Sequence, residues 1–132
     1  MKPIPYEDTL IVPSSAIDQL NHVNNVTYLQ WIQDIAQKHW ETKTPKTIRE
    51  KVGWVVLDHF IEYKKPSFEG EKLSLKTWIE DYGNFKSQRC VEIKNTNTNA
   101  LIVRAKTTWC LIDLKRQKPT RITPEITQPY FE

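Results

Sequence analysis

Apolar and polar residues alternate loosely from Tyr6 to Val12 and stop at Pro13-Ser14-Ser15, which predicts a short strand running into a loop. The loop continues through Asp18-Gln19-Leu20-Asn21-His22-Val23-Asn24-Asn25. Beyond it Tyr28, Leu29, Ile32, Ile35, Ala36 and His39 recur at three- and four-residue spacing, which predicts about four turns of helix with a wide apolar face. Trp31 and Trp40 widen that face, so the helix is expected to have protein on most of its sides. From Gly53 the period falls to two. A continuous apolar run, Trp54-Val55-Val56-Leu57, settles into alternation through Phe60, Glu62 and Lys64 and predicts a long strand. Pro66-Ser67-Phe68-Glu69-Gly70-Glu71 is turn chemistry, after which Leu73, Leu75, Thr77 and Ile79 share one face of a second strand. Tyr82-Gly83-Asn84 ends it. Phe85, Ser87, Arg89, Val91 and Ile93 line a third strand, and Asn95-Thr96-Asn97-Thr98-Asn99 is a hairpin connection to a fourth. There Leu101, Val103, Ala105, Thr107, Trp109 and Leu111 oppose Arg104, Lys106 and Thr108, which gives the sheet one core face and one wet face.

A strand, a loop, one buried helix and four long antiparallel strands describe an α+β domain with its principal helix packed on a single sheet. The 132 residues contain only 3 glycines and no Gly/Ser-rich linker, so residues 1–132 are expected to form one domain. Lys and Arg total 19 against 16 Asp and Glu, a net charge of +3 that lacks the basic footprint of a nucleic-acid binder. A 39% hydrophobic content with 5 Trp is too apolar for a disordered chain. No segment approaches the roughly 20 apolar residues of a membrane span, and no signal-peptide run opens the chain, so no membrane partner and a cytoplasmic location are expected. Cys90 and Cys110 lie singly in strand-like stretches without metal-ligand spacing and read as buried, inert thiols.

The loop carries the candidate chemistry. Asp18-Gln19-Leu20-Asn21-His22-Val23-Asn24-Asn25-Val26-Thr27-Tyr28 resembles the D-x-x-x-H-V-N-N-x-x-Y signature of hotdog-fold acyl thioesterases. Gly53-Trp54-Val55-Val56-Leu57, the Tyr63-x-x-Pro66-x-x-x-Gly70 turn, and Leu111-Ile112-Asp113 before a basic turn and Pro124 are similar to the same family at comparable offsets. The resemblance covers nearly the whole chain, is closest to the 4-hydroxybenzoyl-CoA thioesterase-like branch, and extends to one half of the acyl-carrier-protein thioesterases, whose two modules lie in tandem. It implies a hotdog fold, in which a curved antiparallel sheet wraps one long central helix. It also implies an acyl-CoA or acyl-carrier-protein (ACP) substrate and a second module supplied by another copy, as a homodimer or homotetramer.

Thioester hydrolysis needs an activated water or an attacking carboxylate, together with a donor for the oxyanion. Asp18, just before the helix start, is the candidate general base or nucleophile. The backbone N–H of Asn25, at the positive end of the helix, is the candidate oxyanion donor. His22 is read as orienting Asp18 or the substrate carbonyl, and Asn24 or Asn25 as the N-cap. Tyr28, with Trp31, reads first as packing and second as a substrate contact. Lys64 and Lys65, like Lys115-Arg116-Gln117-Lys118 and Arg121, are candidate contacts for coenzyme A phosphates or an acidic carrier surface. Plant-type ACP thioesterases have an amide where this chain has Leu20, which favours the simpler aspartate mechanism. Another hotdog branch places its carboxylate about two turns inside the helix, where Gln33 and Asp34 fall, and Asp34 is the reserve candidate. No cofactor or metal is called for. The competing readings are a hotdog dehydratase and a non-catalytic acyl-CoA-binding module.

Overall fold

The computed structural model describes all 132 residues. The strands are β1 (Tyr6–Ile11), β2 (Val52–Tyr63), β3 (Lys72–Tyr82), β4 (Lys86–Asn95), β5 (Leu101–Asp113) and β6 (Lys118–Pro119); the α-helices are α1 (Asn25–Lys43), α2 (Lys46–Arg49) and α3 (Pro124–Thr127). All strands belong to one antiparallel sheet in the order β1-β3-β4-β5-β2, with β6 on β5. The sheet curls about α1, the hotdog arrangement that the resemblance implied. No helix is long and apolar enough to cross a membrane.

Asn24 starts α1 by turning its side-chain oxygen back on the Val26 N–H at 2.8 Å, which satisfies one of the donors a helix leaves unpaired. Pro45 stops the helix, since its ring cannot continue the hydrogen-bond ladder. The 19 residues of α1 make roughly five turns, one more than the apolar spacing indicates, because the last turn, Glu41-Thr42-Lys43, is polar and exposed. Tyr28, Ile32 and Ile35 pack with Leu73, Val91, Ile93 and Val103 in one core cluster, while Trp40 packs with Leu111, Ile122 and Tyr130 in a second.

Two features were not visible in the alternation. The strand after the helix pairs with β5 rather than with its successor, from Val52↔Asp113 to Tyr63↔Val103, so the Pro66–Gly70 turn belongs to a crossover and not to a hairpin. A register shift between Val56 and Asp58 makes Leu57 an extra residue, so the inward set changes from Trp54 and Val56 to His59, Ile61 and Tyr63. Phe60 therefore faces outward and is 66% exposed. Phe85 also lies outside its expected strand, half-exposed, with its carbonyl accepting the Leu111 N–H. Cys90 and Cys110 are free and buried as expected, and burial pushes the Cys90 thiol up to about 11.

Candidate active site

The loop before α1 is a miniature hairpin. Ile17 and Val23 form an antiparallel bridge, the Asp18 N–H donates to the His22 carbonyl at 3.0 Å, and the Asn21 N–H donates to the Asp18 carbonyl at 3.1 Å. Asn21 closes the turn at φ 65°, a left-handed conformation that asparagine tolerates better than most residues. This folding places Asp18 Oδ1 3.8 Å from His22 Nδ1, both side chains partly exposed. The same Asp18 oxygen accepts the Leu20 N–H at 2.8 Å, which fixes the carboxylate rotamer and leaves Oδ2 unengaged. Leu20 itself is exposed.

Immediately after the bridge the chain enters α1. The Asn24 N–H is held by the Ala16 carbonyl at 2.9 Å, and its side chain occupies the Val26 N–H. The Asn25 N–H has no acceptor, so one amide at the positive end of the helix, three residues after His22 in the chain, is free to receive an anion. The cap is thus Asn24, and Asn25 contributes its backbone.

Tyr28 lies one turn further on, in the core, and its hydroxyl bonds to Ser67. The Ser67 carbonyl accepts the Val23 N–H at 2.9 Å, so this serine ties the hairpin and the first turn of α1 to the segment leaving β2. Lys64 and Lys65 open that segment on the same rim of the molecule. Both are exposed. Lys64 pairs with Glu62 at 3.0 Å, whereas Lys65 has no carboxylate partner. Asp34 is not brought to this rim. It is exposed, accepts from Gln30 at 2.8 Å, and lines a groove with Asp8, Leu10 and Lys38 on the β1 side of the helix.

Two inward-facing polar groups escaped the sequence reading. His59 on β2 bonds through Nδ1 to Thr107 at 2.7 Å, and its Nε2 stands 3.4 Å from the Gln33 amide of α1. Burial lowers its pKa below the ordinary histidine value. Its inward placement depends on the β2 bulge, which no local pattern announces. Arg89 on β4 is buried between α1 and the sheet, where Nη1 reaches His39 Nδ1 at 2.8 Å and Thr77 Oγ1 at 3.0 Å. Its signal was present in the sequence as the single charge on an otherwise inward face. No group of three or more His, Cys, Asp or Glu side chains is arranged to hold a metal ion.

Residues 4–130 match the family described as acyl-ACP thioesterase N-terminal domain. The chain is 25% identical over 92 residues to the chloroplastic acyl-(acyl-carrier-protein) hydrolase FATB3 of Cuphea viscosissima, covering 67% of this chain and 22% of that protein. It is 31% identical over 112 residues to the Bacillus subtilis (strain 168) protein named "Putative acyl-CoA thioesterase YneP", covering 77% of this chain and 75% of that one. Among solved structures, Slr0204, a 1,4-dihydroxy-2-naphthoyl-CoA thioesterase from Synechocystis, superposes with a TM-score of 0.81 at 17% identity, over 95% of this chain and 94% of that chain. The chain spans about a quarter of the length of the plant relatives it matches.

Proposed function

The chain belongs to the family of acyl-ACP thioesterase N-terminal domains, and from that premise we propose that it hydrolyses acyl thioesters of coenzyme A or ACP to the free acid and thiol. The observation that carries this reading is the Asp18–His22 pair in the hairpin that leads directly into the helix start with its unpaired Asn25 N–H. A carboxylate on one side of a carbonyl and a helix-end amide on the other supply the two parts the reaction needs. Asp18 Oδ2 takes a proton from water as the oxygen adds to the carbonyl carbon, or attacks that carbon itself to form a mixed anhydride that water then cleaves to free acid and carboxylate. The Asn25 N–H holds the oxyanion, and collapse breaks the C–S bond with a proton passing to sulfur. The Leu20 N–H orients the carboxylate, and His22, 3.8 Å from it, is placed to meet the substrate carbonyl. Lys65, and Lys64 once released from Glu62, meet the phosphates of the carrier.

We further propose that two copies pair along β2 as a homodimer. That edge is 12 residues long and carries exposed Val55, Leu57 and Phe60, a strand that soluble proteins cover or pair. α1 runs antiparallel to β2, with Tyr28 near Tyr63 at 6.0 Å and Trp40 near Trp54 at 5.8 Å. Antiparallel pairing of two β2 edges about a two-fold axis therefore sets the Asp18 loop of one protomer beside the C-terminal half of its partner's α1. Residues 1–132 act as one domain, and the unpaired thiols fit action in the reducing cytoplasm.

The test is thiol release from short, long and aromatic acyl-CoAs and from acyl-ACP, comparing wild type with Asp18→Asn, which keeps the shape and removes the charge. Turnover that falls roughly 100-fold or more in the variant supports a catalytic Asp18. Equal rates overturn the catalytic role of Asp18 and make Asp34, the reserve carboxylate, the next to replace. Absence of thiol release from both carriers, with acyl-CoA still bound, overturns the hydrolase reading in favour of a binding module.

A further inference from the structure

At the opposite end of α1 from the Asp18 loop, a cavity of about 320 Å³ lies between the helix, strands β2 to β5 and the α3 segment. Its size falls at the lower end of small-molecule sites, about 300–1,000 Å³. Trp40, Trp54, Ile79 and Ile126 give it an apolar wall. The other wall is polar. Ser87 and Arg89 lie two residues apart on the inward face of β4, and Ser87 is the cross-strand partner of Trp109 on β5.

The hydrogen-bond inventory of that wall is unbalanced. Arg89 is 7% exposed and uses Nη1 for His39 and Thr77, while its Nε and Nη2 N–H groups have no acceptor and are not sealed from the cavity. Ser87, 5% exposed, has a hydroxyl without a partner, and Trp109 Nε1 is enclosed without an acceptor. No Asp or Glu lines the space, and its second charge is another cation, Arg49, which bonds to the Thr44 carbonyl at 3.0 Å. Desolvation lowers the Arg89 pKa to about 10 despite small opposing effects of Tyr130 and Cys90, and no carboxylate is among the groups that raise it. His39 is held neutral, down to about 3, by burial and by Arg89 itself. A buried guanidinium with three free donors and no counter-charge is costly unless something anionic joins it.

We propose that this cavity binds an organic acid whose carboxylate is forked onto Arg89 Nε and Nη2, with the Ser87 hydroxyl as a further donor and an apolar body against Trp40, Trp54 and Ile79. Guanidinium and carboxylate match in planarity and spacing, which makes such bidentate pairs strong and directional. The inference stands on the cavity's own chemistry and is independent of hydrolysis at the Asp18 loop. The carboxylate arrives either on a free acid or as the distal end of an acyl thioester, and the shared chemistry is the anchored anion.

The experiment titrates the full chain with octanoate and with uncharged 1-octanol, read by calorimetry and by fluorescence of the tryptophans lining the cavity. Octanoate is expected to bind at least roughly 10-fold more tightly than octanol. Arg89→Met, checked for folding by circular dichroism, is expected to lose roughly 10- to 100-fold in octanoate affinity and to keep its octanol affinity. Arg89→Lys and Ser87→Ala give smaller losses of the same sign and carry the test should Arg89→Met fail to fold. Equal affinity for the two ligands, no octanoate binding, or unchanged octanoate binding in folded Arg89 variants overturns the proposal. Thiol release from octanedioyl-CoA against octanoyl-CoA separates the sources. A preference for the carboxyl-ended substrate that disappears in Arg89→Met assigns the anion to the distal acyl end; octanoate binding without that preference assigns it to the free acid. Failure of hydrolysis at Asp18 changes neither binding result.

Discussion

Arg89 Nη1 on β4 stands 2.8 Å from His39 Nδ1 on α1, joining residues fifty positions apart across the boundary between helix and sheet. The bond uses a neutral imidazole as acceptor. Tyr6 stacks on that ring at 5.2 Å and Tyr130 meets it edge-on at 4.8 Å, which buries His39, and burial, Arg89 and Lys43 disfavour its protonation.

Acid stability follows from this arrangement. The His39 pKa is about 3 in the folded protein, lowered by burial and then by Arg89, against about 6.5 when unfolded. The unfolded chain therefore binds the proton first as pH falls. Stability from this residue is complete above about 6.5 and is lost on acidification from there towards 3, at up to about 1.4 kcal/mol per pH unit. Urea midpoints measured from pH 7 to pH 4 should fall steadily, and His39→Gln, which keeps an acceptor but cannot titrate, should flatten that slope. Parallel profiles for the two proteins would remove His39 as the cause.

The helix cap is separable from the chemistry of its neighbour. Replacing Asn24 by Ala leaves the Val26 N–H without its 2.8 Å partner and should lower stability by about 1 kcal/mol. Asn24→Ser should stay close to wild type. Chemical denaturation of the three proteins checks both statements.

Gly70 turns the chain from the crossover into β3 at φ +84°, a region closed to most side chains, although no atom lies within 4 Å of an added Cβ. Gly70→Ala should therefore cost about 1–2 kcal/mol through backbone strain alone. Its melting temperature reports the loss, and a stabilised variant would contradict the assigned conformation.

The β2 edge makes a further prediction about assembly. Val55 and Phe60 are 39% and 66% exposed on its outward face, and lysines at both positions place charge along the proposed seam. Sedimentation velocity should show a dimer for wild type and a monomer for Val55→Lys/Phe60→Lys, with thiol release lost in the monomer. A wild-type monomer with full turnover would exclude the shared site.

Much of the architecture was legible because it is written in local periodicity. The three-four spacing from Tyr28 to His39 marks a helix with a buried face, and the alternation from Leu101 to Leu111 marks a strand with one wet side; both hold in the fold. The proposed site could be named from the sequence for a related reason, since Asp18, His22 and Asn25 lie within eight consecutive residues, and the hairpin closed at Asn21 brings Asp18 and His22 to 3.8 Å. The nearness of the segment after Lys64 and Lys65 to that hairpin depends on the Val23–Ser67 bond, which joins distant parts of the chain.

Other features had no local signature. That β2 pairs with β5 is decided by which edge buries Trp54 against Trp40, a comparison among whole-sheet alternatives. The extra residue at Leu57 exchanges the two faces of β2, turning His59 inward and Phe60 outward, and only the competition between β2 and β5 registers sets where that bulge falls. The cavity around Arg89 is a relation among seven elements, α1 to α3 and β2 to β5, none of which encloses space alone. The sequence by itself determined which residues are apolar, where the chain turns and which groups sit together in the loop, because these are properties of neighbours along the backbone. Tertiary structure decided which faces meet, which edge is left open and which buried charge lacks a partner, because burial and register are settled by contacts between segments far apart in the chain.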